Sequence, residues 1–146
     1  MNRFTHTLAL ILGIAALMFT ACENNEPTPT PDNRERTKVD FETMSEGYWS
    51  LTHWGSNALG EGLYCYIYME EDGSYTMIDN LGSMYEVTTT GTYSLTPVDD
   101  RVILTGTYDH GVGDWNDSYE AAIYDYEDLE LTSLTTGEVM KFLRMF

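Results

Sequence analysis

The sequence predicts an all-β domain, a small eight-stranded meander β-barrel that follows a signal peptide and a disordered linker. Three observations carry this reading. From residue 41 onward, apolar and polar residues alternate in short runs separated by turn residues about every ten positions. Short strands with short connections argue for a barrel or sandwich, and closure removes exposed edges. Aromatic residues make up 13% of the chain, 11 of them Tyr, which suits pleated, half-buried surfaces. No segment shows helical amphipathic periodicity.

The chain opens with an address. MNRFTHT carries one Arg and no acid, and residues 8–19, LALILGIAALMF, are an apolar run of 12. That is too short for a permanent membrane span and suits a signal-peptide core. Thr20 and Ala21 are small, and Cys22 follows at once. This resembles a bacterial lipobox, with Phe19 standing where Leu is usual. The resemblance implies that residues 1–21 are removed, that Cys22 carries the lipid (palmitate or similar acyl chains), and that the protein is anchored to the outer membrane on its periplasmic or surface face. Two or more acyl chains would hold it stably, at roughly 0.8 kcal/mol per buried CH₂.

Residues 22–40 read as a lipidated Cys and a tether. ENNEPTPTPDNRERTKVD holds three of the four prolines and almost no apolar residues, so it is expected to be extended rather than packed. Residues 41–146 are the expected domain. DFETMSEG is expected to form at most one helical turn. GYWSLTHW places Trp49, Leu51 and His53 on one strand face. LYCYIYM places Leu63, Cys65, Ile67 and Met69 on one face and Tyr64, Tyr66 and Tyr68 on the other. Asp72-Gly73 is a hairpin signal, after which SYTMID sets Tyr75 and Met77 together. In MYEVTTTGTYSLT, Gly91 suggests a bulge or a break. Pro97 to Asp100 reads as a turn, RVILTGTYD as a strand and HGVGDWNDS as a loop. YEAAIYDYED, LELTSL and VMKFLRM supply the last strands, with Leu129, Leu131, Met140 and Phe142 on alternating positions.

The charge limits the partners. The whole chain has a net charge of −17, and after residue 21 six basic residues face 24 acidic ones, a net −18. Nucleic acid is excluded as a partner, since phosphate binding wants a basic stripe. Solubility and mutual repulsion explain the acidity, with attraction of divalent cations as the alternative. Enzyme activity is not expected: there is no G-x-S-x-G elbow, and no nucleophile–base set can be assembled. His110, Asp114, Asn116 and Asp117 share a loop that does not match the EF-hand pattern, and no Cys/His cluster suggests zinc. No metal or cofactor is expected.

From Gly47 on, the motifs follow a familiar order. Gly47-Tyr48-Trp49, the hairpin around Asp72-Gly73-Ser74-Tyr75, Gly91-Thr92-Tyr93, Leu129-Glu130-Leu131 and Met140 to Arg144 together resemble the lipocalin and calycin group, and in particular small lipocalin-like bacterial lipoproteins. The resemblance implies that Arg144 packs across Trp49 and closes the barrel floor. It also implies a barrel that binds a small hydrophobic molecule. The inward positions would be Leu51, His53, Cys65, Ile67, Tyr75, Met77, Tyr93, Leu131 and Phe142. They suit a ligand cavity of roughly 300 Å³ or more and describe an ordinary core equally well. The alternative function is a surface adhesion or glycan- and protein-binding module with a solid core, using outward aromatics such as Tyr66, Trp54 and Trp115.

Overall fold

The computed structural model describes residues 32–146, so the expected signal peptide and Cys22 lie outside the described residues. The elements are β1 (Arg36–Thr37), α1 (Phe41–Ser45), β2 (Tyr48–Trp54), β3 (Asn57–Ala58), β4 (Cys65–Met69), β5 (Ser74–Asp79), β6 (Val87–Val98), β7 (Arg101–Tyr108), β8 (Gly113–Asp114), β9 (Tyr119–Tyr124), β10 (Asp128–Ser133) and β11 (Val139–Met145). Eight of the strands close a barrel in the order β2-β4-β5-β6-β7-β9-β10-β11 and back to β2, every pair antiparallel. The all-β meander read from the sequence is therefore the fold. Three two-residue strands are extra: β1 pairs with β9, β3 with β2, and β8 with β7.

Alternation drives the closure. Leu129 and Leu131 of β10 face Ile123 and Ala121 of β9 in register, and all four are buried. Leu104 of β7 meets Tyr119 of β9 where the barrel closes. Each strand thus turns one row of side chains into a shared core.

β6 is one continuous strand of 12 residues, not a bulged or broken pair. Residues 87–92 pair with β5, and residues 91–98 pair with β7. Gly91 stands where the strand passes from one partner to the other. A Cβ there would lie 1.9 Å from the carbonyl oxygen of Thr107 and 2.8 Å from the Tyr75 ring. Glycine is needed because two backbones approach closely. The expected Pro97–Asp100 turn is shorter than read: Pro97 and Val98 still pair with Val102 and Arg101, leaving Asp99 and Asp100 to reverse the chain. Leu63 also departs from expectation. It precedes β4 and is 37% exposed, because the strand begins only at Cys65.

The two ends of the barrel differ. At the floor, α1 lies under the strands. Asp40 caps it: its carboxylate accepts from Thr43 N at 2.9 Å, and Asp40 N donates to Thr43 Oγ1 at 3.0 Å. This reciprocal box satisfies the first turn of so short a helix. Met44 is fully buried, and its carbonyl accepts from Trp49 Nε1 at 2.9 Å. Phe41 packs on Tyr93 with ring centroids 5.1 Å apart. The opposite end, between Trp54, Trp115 and the β10–β11 turn, is the mouth.

The tether expected through residue 40 is shortened by its own arginines. Arg36 and Thr37 pair with Tyr124 and Ile123 as strand. The Arg34 guanidinium lies 4.1 Å from the Tyr124 ring centre and donates to Glu130 at 2.8 Å. Val39 packs against the core. These residues of the expected tether thus find an aromatic ring and carboxylates on the β9–β10 face.

Candidate functional site

The barrel interior holds a cavity of about 80 Å³ walled almost entirely by apolar and aromatic side chains, Asn116 being the exception. Seven of the nine inward positions expected from the sequence line it: Leu51, Cys65, Ile67, Tyr75, Met77, Leu131 and Phe142. His53 and Tyr93 do not. The volume lies below the ~150 Å³ of an apolar cavity that admits benzene and below the ~300 Å³ expected of a drug-sized pocket. Large side chains such as Trp49, Met69 and Trp115 occupy most of the space that the strands enclose.

His53 is replaced by its neighbour for a definite reason. Phe142 pairs with Leu51 and Lys141 with His53, so Thr52 is an extra residue in β2. This bulge reverses the alternation beyond it. Trp54 then pairs with Met140 and joins the cavity wall, while His53 pairs with Lys141 on the other face. Tyr93 is inward and only 3% exposed, but it sits in the floor, where its hydroxyl donates to Glu70 O at 2.8 Å. Burial, followed by the nearby Asp72, Glu70 and Glu71, pushes its hydroxyl up to about 12.

Trp115 was read as part of an exposed loop. Instead its indole lies on Gly106, where a Cβ would come within 2.3 Å of the ring. Its Nε1 donates to Tyr75 OH at 2.9 Å, and that hydroxyl donates to Thr107 O at 3.2 Å. The ring makes edge contacts with Tyr75 and Tyr119, at 5.3 and 6.3 Å between centroids. With Trp54 and Trp115 in the cavity wall, two of the aromatics expected in an outer patch are turned inward. The outward tyrosines pack on one another: Tyr48 stacks on Tyr68 at 5.0 Å, Tyr64 stacks on Tyr66 at 5.3 Å, and Tyr48 meets Tyr66 edge-on at 5.7 Å. Such cross-strand contacts stabilise the sheet face.

Cys65 has a free thiol in the cavity wall. Burial pushes its pKa up, and the neighbouring Asp79 adds to this. A thiol held neutral in an apolar wall packs as a small hydrophobe. Among the described residues, no three His, Cys, Asp or Glu side chains converge as a metal site.

The cavity borders the mouth. There an open groove of about 830 Å³ shares Trp54, Asn116, Tyr119 and Met140 with the interior wall. Asp117 organises the rim. Its carboxylate accepts from Ser118 N at 2.7 Å, from Thr135 Oγ1 at 2.9 Å and from Ser133 Oγ. Ser133 Oγ in turn accepts from Thr136 N at 2.9 Å. These bonds tie the β10–β11 turn to the β8–β9 loop. Asp117, one of the acidic loop residues, therefore serves as a structural knot at the mouth.

The chain matches no protein-family model, no curated protein and no solved structure. The closed eight-stranded barrel is compatible with a lipocalin-like fold on its architecture alone.

At the floor, the Arg144 guanidinium carbon lies 4.4 Å from the Trp49 ring centre. Arg144 Nη1 donates to Glu46 O at 2.7 Å, and Nε donates to Tyr126 O. Burial pulls the Arg144 pKa below its usual value, opposed by Glu46. Arg144 is 5% exposed and Trp49 is fully buried. The pair covers the end of the barrel opposite the mouth.

Proposed function

We propose that this chain is a lipid-anchored envelope lipoprotein, held by Cys22, whose lipocalin-like barrel binds a slender hydrophobic molecule end-on through the mouth. The observation that carries the binding reading is a nearly all-apolar cavity that shares four wall residues with a larger groove at one open end. Pockets that take apolar ligands combine apolar walls with a few polar groups at the opening. The small interior favours a single alkyl chain over a fused-ring or bulky ligand. Most of such a ligand would lie in the mouth, with its tail between Leu51, Met77, Leu131 and Phe142.

Trp54 and Trp115 provide the assay, since both line the cavity. Titration of the purified domain with straight-chain alkyl compounds should quench or shift tryptophan emission saturably. A polycyclic hydrophobe of similar carbon number should not. Native mass spectrometry should find a co-purified, lipid-sized mass. Failure of every alkyl probe, with no bound mass, overturns the binding reading. The anchor rests on the run before Cys22. The mature protein extracted from membranes should begin at an acylated Cys22, and Cys22→Ser should release it from the membrane fraction. An unmodified cysteine overturns that part.

A further inference from the structure

Five buried side-chain polar atoms among the described residues have no hydrogen-bond partner within the protein. Buried polar atoms are nearly always paired, so each such exception asks for a reason. One of the five, Arg144 Nη2, belongs to the floor. The other four stand toward the mouth: Trp54 Nε1, Asp79 Oδ2, Tyr108 OH and Glu138 Oε1.

Their placement is consistent. Glu138 lines the mouth groove with Trp54, Asp117 and Tyr119. The next residue, Val139, accepts from Gly55 N at 2.8 Å, which brings Glu138 close to the Trp54 turn. Asp79 is 1% exposed and ends β5 on the same face as Tyr75 and Met77, in register with Cys65 of the cavity wall. One of its oxygens accepts from Leu81 N at 3.0 Å, and the other has no partner. Tyr108 ends β7 on the inward face of Leu104 and Gly106. Tyr119, buried between the interior and the groove, has its hydroxyl pushed up by burial first, then by Asp117, Tyr108 and Glu138.

The sign of that space is negative. Two of the four unpaired atoms are carboxylate oxygens, and Asp117 adds a third carboxylate. The one basic residue in the groove wall, Lys141, is drawn to Glu130 at 3.8 Å. The mature chain carries −18. An anionic head group beside Glu138 and Asp117 would meet net repulsion. A cation would find carboxylate acceptors and the Trp54 indole in the groove wall.

We propose that the mouth selects an amphiphile with a cationic amine head, held by Glu138 and the Trp54 ring, while its single alkyl tail enters the cavity. This rests on the cavity reading above and adds the head-group chemistry. Glu138 is the principal acceptor, and Asp117 on the same groove wall adds negative potential.

The test compares decylamine, decanol and decanoic acid at pH 7, each below its micelle-forming concentration, by tryptophan fluorescence and calorimetry on the purified domain. Decylamine should bind about tenfold more tightly than decanoate, with decanol between them, as a charge-assisted bond in a desolvated site implies. In a folded Glu138→Gln protein, checked by circular dichroism, the ratio of amine to decanol affinity should fall toward one. Equal or tighter binding of decanoate overturns the head-group assignment and leaves the cavity reading standing. So does an amine preference that survives Glu138→Gln. Binding of none of the three overturns both.

Discussion

Replacing Arg144 with alanine tests the barrel floor directly. The substitution removes a guanidinium that lies 4.4 Å from the Trp49 ring centre. It also strips the Tyr126 and Glu46 carbonyls of their donor. Hydrogen bonds to a charged group contribute about 1.5–3 kcal/mol, and a desolvated cation–π contact contributes about 0.5–2 kcal/mol. Against these stands the relief of removing a buried charge with one unpaired N–H, which is why the net effect is about 2–3 kcal/mol rather than the full sum. For a domain of this size, that lowers the melting temperature by roughly 10 °C. Differential scanning calorimetry of Arg144→Ala measures it. A double-mutant cycle with Trp49→Leu isolates the ring contact, with an expected coupling of about 0.5–2 kcal/mol. A melting temperature within ~2 °C of wild type, or strict additivity of the two substitutions, would refute the floor pairing as a stabilising device.

Three further outcomes follow from individual residues. Gly91→Ala places a Cβ against the Thr107 carbonyl and should lower stability by at least about 2 kcal/mol in chemical denaturation; an unchanged midpoint would mean that β6 and β7 can separate freely there. Asp79 has its pKa raised by burial, opposed by the Leu81 N–H, so its charge opposes folding at neutral pH. Asp79→Asn should therefore raise the melting temperature at pH 7, and the gain should shrink as the pH falls through the raised folded-state pKa and vanish well below 3.8, where wild-type Asp79 is protonated in both states. A gain independent of pH would contradict this account. Cys65, buried with its pKa pushed up by burial first and then by Asp79, should resist alkylation at pH 8 in the native domain and react on unfolding; rapid native labelling would show that the cavity wall opens readily.

Much of the interior was legible from alternation because β4, β5 and β10 are uninterrupted. Cys65, Ile67, Tyr75, Met77 and Leu131 follow a strict period of two, and the barrel uses it unchanged. The pattern fails at Thr52. An added residue in β2 has no signature in YWSLTHW, since both His53 and Trp54 suit either face, and only pairing with β11 chooses between them. Trp115 could have been traced from the far side: Gly106 interrupts an otherwise bulky strand, and such a gap often marks a close approach. Nothing in the sequence says which ring fills it. Arg34 and Arg36 were legible only as charge, because the Tyr124 ring and the acids that receive them come about 90 residues later in the chain.

By itself the sequence determined the class of fold, the direction of most strands' inner faces and the strongly acidic surface, because alternation, turn residues and net charge are local or additive properties. Tertiary structure alone decided the size of the cavity, the inward turn of Trp54 and Trp115, and the gathering of unpaired polar atoms at the mouth. Those depend on register and on how large side chains from distant strands share one enclosed volume, and neither is written in any single segment.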